Sequence, residues 1–142
     1  MWESAPVARI RRAVSGDLDD LLIRERLEAN DLASIVGLGR VLIAYGDDGG
    51  LIGWLRWGMF WDEVPFMNRL HVDELHRWHG VGRLLVDEWE VLCRNEGSTM
   101  VMTSTLSAEP AQHFYRQLGY VDTGCLVLPG ESIEIIFRKQ LA

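Results

Sequence analysis

The chain has 142 residues, of which 14 are lysine or arginine and 21 aspartate or glutamate, for a formal net charge of −7. That length suits one compact domain over residues 1–142, and 48% hydrophobic residues are enough to fill a core. The acidic balance excludes a general nucleic-acid binder, which needs a basic surface to displace counterions, and accords with cationic partners such as amines.

Cys93 and Cys125 have neither metal-ligand spacing nor a disulfide framework. They read as reduced thiols in a cytoplasmic protein. No signal peptide is expected before Ala5-Pro6, and no apolar run could span a bilayer, so no membrane partner is expected. Lys139 is the only lysine.

Val7–Val14 alternates enough to predict a first strand at a sheet edge. Ser15 is placed to cap a helix whose first turn holds Asp17, Asp19 and Asp20, where negative charge suits the helix dipole. Leu18, Leu21, Leu22 and Leu27 give that helix an apolar side, and it fades near Asn30-Asp31. Leu32–Gly39 reads as a loop or a second short helix. Arg40–Tyr45 and Leu51–Trp61 are strands of a hairpin around Gly46–Gly50. The second strand is apolar on both alternations, as a central strand should be. Asp62–Pro65 turns the chain, and Phe66–Val72 returns as a strand. A helix follows from Gly80 to about Arg94–Gly97, then a strand over Thr99–Thr105 and a helix over Glu109–Leu118. Tyr120–Leu128 and Glu131–Leu141 make a last hairpin. The strand–helix–strand unit over 66–105 should be a right-handed parallel crossover. The hairpins make the rest antiparallel, which predicts a mixed, mostly antiparallel α/β sheet flanked by helices.

The stretch His71–Leu85 joins a strand, a loop with Gly80 and Gly82, and a helix carrying Val81, Leu84, Leu85 and Trp89 at helical spacing. The first N–H groups of a helix lack intrahelical partners, and the dipole adds partial positive charge. Glycine lets the backbone approach a phosphate, and Arg77 and Arg83 add charge. The stretch is read as a pyrophosphate cradle. A P-loop is disfavoured because no Gly-Lys-Ser/Thr follows, and a Rossmann loop because position 85 is Leu. His71, His76 and His79 lack a second ligand cluster, so no metal is expected.

Leu70-x-Val72-x-x-x-x-Arg77-x-x-Gly80-x-Gly82 resembles the coenzyme-A signature of the GNAT family of N-acetyltransferases. Ala111-Gln112-His113-Phe114-Tyr115, followed by Gly119-Tyr120, resembles the family's second segment. The resemblance covers nearly the whole chain and is strongest over 66–120. It implies transfer of an acetyl group from acetyl-CoA to an amine of a small molecule or peptide. Trp78, His79, Gly80, Val81, Gly82 and Arg83 would offer backbone N–H groups to the pyrophosphate. Leu70, His71 and Val72 would pair with the pantetheine arm like an added strand. The strand at 68–72 and that at 99–105 would splay apart to admit the thioester. Tyr115 resembles the tyrosine that protonates the leaving thiolate.

Two positions depart from the family. Many members carry a glutamate base on the strand before the loop, where this chain has Met67, Asn68 and Arg69. Asp62, Glu63, His71 or a water chain are the alternatives for that role. Ala108 stands where the family often has asparagine, and Ser107 could supply the missing contact. The absent carboxylate leaves a second reading open, a CoA-binding sensor without catalysis. Trp61-Asp62-Glu63 could recognise an ammonium group, or be a solvated turn. Leu126–Leu128 and Ile133–Phe137 are apolar enough for a homodimer edge, which burial within the monomer explains equally.

Overall fold

The computed structural model describes residues 8–142; Val7, the start of the expected first strand, and Ala5-Pro6 lie outside them. The elements are β1 (Arg9–Arg12), a 3-10 turn (Ser15–Asp17), α1 (Leu18–Leu22), α2 (Ala29–Gly37), β2 (Val41–Tyr45), β3 (Leu51–Phe60) and β4 (Val64–Val72). A 3-10 turn (Glu74–His76), α3 (Val81–Asn95), β5 (Met100–Leu106), α4 (Ala111–Gln117), β6 (Val121–Leu126) and β7 (Glu134–Gln140) follow. The strands form one sheet in the order β1-β2-β3-β4-β5-β7-β6. β4 and β5 are parallel, paired through Phe66–Met102 and Met67–Thr103. The pairs β1–β2, β2–β3, β5–β7 and β6–β7 are antiparallel. This is the mixed sheet expected from the element order, with β1 at an edge as predicted. β7 comes back between β5 and β6, so the last hairpin is joined to the sheet through its second strand.

The chain divides into two compact units, one running through Trp57 and resuming over Arg69–Trp89, the other made of Gly58–Asn68 and Glu90–Ala142. In the first, α1 and α2 lay Leu21, Leu32 and Val36 over Val41 and Ile43 of β2 and Trp54 of β3. The opposite face of β3 meets α3, where Trp57 and Trp89 pack with ring centroids 6.2 Å apart. Gly53 allows a close approach there. A Cβ at this position would lie 2.7 Å from the His71 carbonyl oxygen, inside van der Waals contact.

Three local expectations need correction. Ser15 does not cap the first helix. The Asp17 carboxylate accepts the Val14 N–H at 2.7 Å and two guanidinium bonds from Arg11 at 2.8 and 3.0 Å. Those bonds, Arg11's foremost, hold the Asp17 carboxyl below the usual range, and a carboxylate outcompetes a hydroxyl for such donors. The first helix stops at Leu22 rather than near residue 30. The N–H groups of Arg24 and Glu25 both close onto Leu21 O, at 3.0 and 2.8 Å. Glu25 then turns inward and accepts Trp54 Nε1 at 3.2 Å and Arg56 Nε at 2.6 Å. α2 begins at Ala29, which settles the uncertain stretch as helix. The β3–β4 turn, expected over Asp62–Pro65, is shorter, because Trp61 (φ 54°) and Asp62 (φ 60°) are both left-handed. Such a two-residue turn matches the strand twist. Glu63 N–H bonds Phe60 O at 3.1 Å, and Pro65 already lies in β4.

In the second unit, β7 pairs with β5 over seven positions. Phe137 is fully buried and packs against Tyr115. Beside them Glu90, itself buried, accepts the Tyr120 hydroxyl and the Lys139 ammonium nitrogen, each at 2.8 Å. Burial and then the Glu90 charge raise the Tyr120 hydroxyl far above its ordinary value. Of the two tracts read as a dimer edge, Ile135 and Phe137 belong to the core, whereas Leu126 and Val127 are exposed.

Candidate functional site

The glycine loop is built as its sequence suggests. Asp73 N–H bonds Ile52 O at 2.8 Å, which holds the end of β4 to β3. Arg77 Nε donates to Val72 O at 3.0 Å and so braces the same strand end, a role beyond the charge assigned to it. Trp78 (φ 69°) and Gly80 (φ 83°) are left-handed, and Trp78 is wholly exposed. A Cβ at Gly80 would meet nothing within 4 Å, so the surface beside it is open. Leu84 N–H closes the first helical bond onto Gly80 O at 3.0 Å. The N–H groups of Val81, Gly82 and Arg83 precede that bond and have no intrahelical acceptor. Val81 is buried and anchors the helix start; His79 and Arg83 are exposed, Arg83 reaching Asp87 at 3.9 Å. Leu70, His71 and Val72 lead into this loop half-buried.

His71 has two neighbours. Its ring lies on that of Trp54, centroids 4.5 Å apart, and its Nε2 is 3.5 Å from Asp73 Oδ1. Burial lowers its pKa, the nearby charge of Arg69 adds to that, and Asp73 opposes both. The net result is an imidazole below the ordinary histidine value, neutral at neutral pH.

Tyr115 lies on α4, 6% exposed, edge-on to Phe114 and Tyr120. Its hydroxyl hydrogen-bonds the side chain of Thr103, and burial pushes its pKa up to about 12. Thr103 Oγ1 donates to Met67 O at 3.0 Å. A threonine hydroxyl has one proton, so neutral Tyr115 is the donor to Thr103. The relay ends on Met67–Thr103, the second of the two parallel pairs of β4 and β5.

The structure keeps Leu70–Arg83 together in one unit as strand, loop and helix, and places Tyr115, Ser107, Asp62 and Glu63 in the other. Asp62 and Glu63 are exposed at the hairpin turn. Glu63 is four residues from Met67 along β4, about 13 Å of extended chain. Ser107 is half-buried at the approach to α4, its carbonyl accepting Gln112 Nε2 at 2.8 Å. Two residues went unnoticed in the sequence. Asp73 follows His71 by two positions, a spacing that could have flagged it. Thr103 is a polar residue directly after the apolar run Met100-Val101-Met102, but its partners come from distant segments. Among the described residues no three His, Cys, Asp or Glu side chains gather as metal ligands. No helix among them is long and apolar enough to cross a membrane.

The model of the GNAT acetyltransferase domain matches residues 37–122, more than half of the chain. No curated protein sequence matches. Among solved structures, Ard1 from Thermoplasma volcanium superposes with a TM-score of 0.81 at 18% identity, over 96% of this chain and 99% of that one. A phosphinothricin acetyltransferase from Sinorhizobium meliloti, in complex with acetyl-CoA, does so with a TM-score of 0.81 at 18% identity, over 96% and 89%. A putative acetyltransferase from Salmonella typhimurium with acetyl-CoA gives 0.78 at 18% identity, over 95% and 94%. At such identities the likeness is one of fold.

Proposed function

The chain belongs to the GNAT acetyltransferases, and from that premise we propose that it is a cytoplasmic enzyme that transfers the acetyl group of acetyl-CoA to a primary amine of a small molecule or peptide, by direct attack in a ternary complex. The loop fits the cofactor's pyrophosphate: Gly80 leaves its surface open, and the N–H groups of Val81, Gly82 and Arg83 need an acceptor. Bound there, acetyl-CoA supplies the activated acyl group and a thiolate leaving group. A backbone N–H near Leu70 or His71 is the donor for the oxygen on which charge develops. His71, neutral and oriented by Asp73, takes the proton of the attacking amine. Tyr115 gives a proton to the departing sulfur.

The observation that carries this reading is Tyr115 itself, a buried hydroxyl that remains protonated up to about pH 12 and is held by Thr103. The test is thiol release from acetyl-CoA across a panel of amines and peptides, with the thermal shift caused by CoA measured alongside. Acceleration by an amine is expected. A CoA-dependent rise in Tm without turnover would instead support a silent CoA-binding module, the reading favoured by the lack of a carboxylate at Met67, Asn68 and Arg69, where many family members carry glutamate. Gly82→Glu is expected to weaken CoA binding by more than about a hundredfold, since it sets a carboxylate against the phosphates. Retained tight binding by calorimetry would move the cradle elsewhere.

A further inference from the structure

The charges around His71 do not cancel. Among the described residues, Glu25 and Asp73 are the carboxylates in that part of the first unit, and both are engaged. Glu25, its side chain 1% exposed, is held by Arg56 at 2.6 Å and by Trp54 Nε1 at 3.2 Å. Asp73 faces His71 at 3.5 Å and Arg24 at 3.9 Å. Two cations near His71 face no carboxylate among the described residues: Arg77, whose Nε donates to Val72 O at 3.0 Å, and Arg69, on β4 two residues before His71. The Arg69 Nε is shut off from solvent and has no hydrogen-bond partner among the described residues. A guanidinium N–H taken out of water without an acceptor is unfavourable, and among the described residues no carboxylate relieves it.

An anion from outside completes such a group. The planar guanidinium fork matches a carboxylate in shape and charge, which selects that anion over a diffuse one. Arg69 is also close enough to His71 for its charge to be felt there. A ligand carboxylate on Arg69 therefore lies within reach of the group that would take the amine's proton.

We propose that Arg69 is a specificity residue that binds a carboxylate of the acceptor, so that the acceptor is an amino acid or another amine bearing a carboxylate close to its amino group, and not a simple alkylamine or polyamine. This rests on the amine-acetylating function proposed above.

The test compares matched pairs, the L-amino acids against their carboxamides, with putrescine as a plain diamine. Binding to the CoA-saturated protein is measured by calorimetry, independently of turnover, and kcat/KM by thiol release. Carboxylates are expected to bind at least about tenfold more tightly than their amides. Arg69→Gln is expected to abolish that preference while leaving the KM for acetyl-CoA unchanged, and Arg69→Lys to keep part of it. Equal binding of acids and amides by the wild type overturns the proposal, as does a preference that survives Arg69→Gln. A rise in the KM for acetyl-CoA instead assigns Arg69 to a phosphate of the cofactor and also overturns it. Should Arg69→Gln fail to fold, the wild-type pairs and Arg69→Lys still decide. Turnover without carboxylate preference refutes only this inference. Carboxylate-dependent binding without turnover refutes amine acetylation and with it the acceptor assignment, and leaves Arg69 as a carboxylate-binding residue.

Discussion

His71 and Tyr115 lie in different units and in different company. His71 is half-buried among arginines and a carboxylate on β4; Tyr115 is buried among aromatic rings with one hydroxyl beside it. Yet burial is the largest influence on both. It disfavours whichever form carries charge, the imidazolium in one case and the phenolate in the other. The same withdrawal from water therefore leaves the histidine without its proton and the tyrosine with its own at neutral pH. That is the assignment the proposed acetyl transfer would need from its base and its acid. No residue has to be specialised beyond its surroundings.

Breaking the tyrosine side should have the largest effect. Tyr115→Phe is expected to lower kcat about a hundredfold with acetyl-CoA affinity unchanged by calorimetry; an unaltered kcat removes Tyr115 from the chemistry. Next comes His71→Gln, which should cost roughly ten- to a hundredfold in kcat. In the wild type the rate should fall as pH drops below a midpoint lower than the ordinary histidine value of about 6.5, because protonation removes the base. Tyr115 should impose no alkaline fall until near pH 12. Persistence of the acidic limb in His71→Gln would place the base elsewhere. Thr103→Val keeps the shape and removes the hydroxyl, so kcat should drop about tenfold, roughly 1.4 kcal/mol, and Thr103→Ser should restore it. The smallest change is expected from Asp62→Asn with Glu63→Gln, within about twofold in kcat/KM, since both are exposed at a turn. A large loss there would return the base to the β3–β4 hairpin.

What could be read beforehand followed from local chemistry. Val81, Leu84, Leu85 and Trp89 announce a helix through their spacing, and Gly97 (φ 97°) ends it as a C-cap glycine should. The hairpin over 41–60 follows from two apolar runs around a glycine- and aspartate-rich turn. What was not legible depended on partners far along the chain. α1 ends early as Glu25 turns to Trp54 and Arg56, 29 and 31 residues away. Thr103 matters through Met67, 36 residues before it, and only once the parallel register is set. β7 lies between β5 and β6 by a long-range choice of edge that no periodicity encodes. The strand, glycine loop and helix were thus visible as a motif, whereas the groups around His71 and Tyr115 were visible only in the fold.

The ion pair of half-buried Lys139 with buried Glu90 carries a consequence for handling the protein. Lys139 is the only lysine of the chain, and its nitrogen is engaged by Glu90 and lies 5.6 Å from the centre of the Tyr120 ring. If the protein binds acetyl-CoA as proposed, it offers that thioester almost no lysine amine of its own. Acetylation detected by mass spectrometry after incubation with acetyl-CoA should accumulate on the added acceptor rather than on the catalyst, giving turnover assays a low background. Coupling through amine-reactive dyes or resins will, for the same reason, label this protein poorly at lysine, and the exposed Cys125 is the better handle.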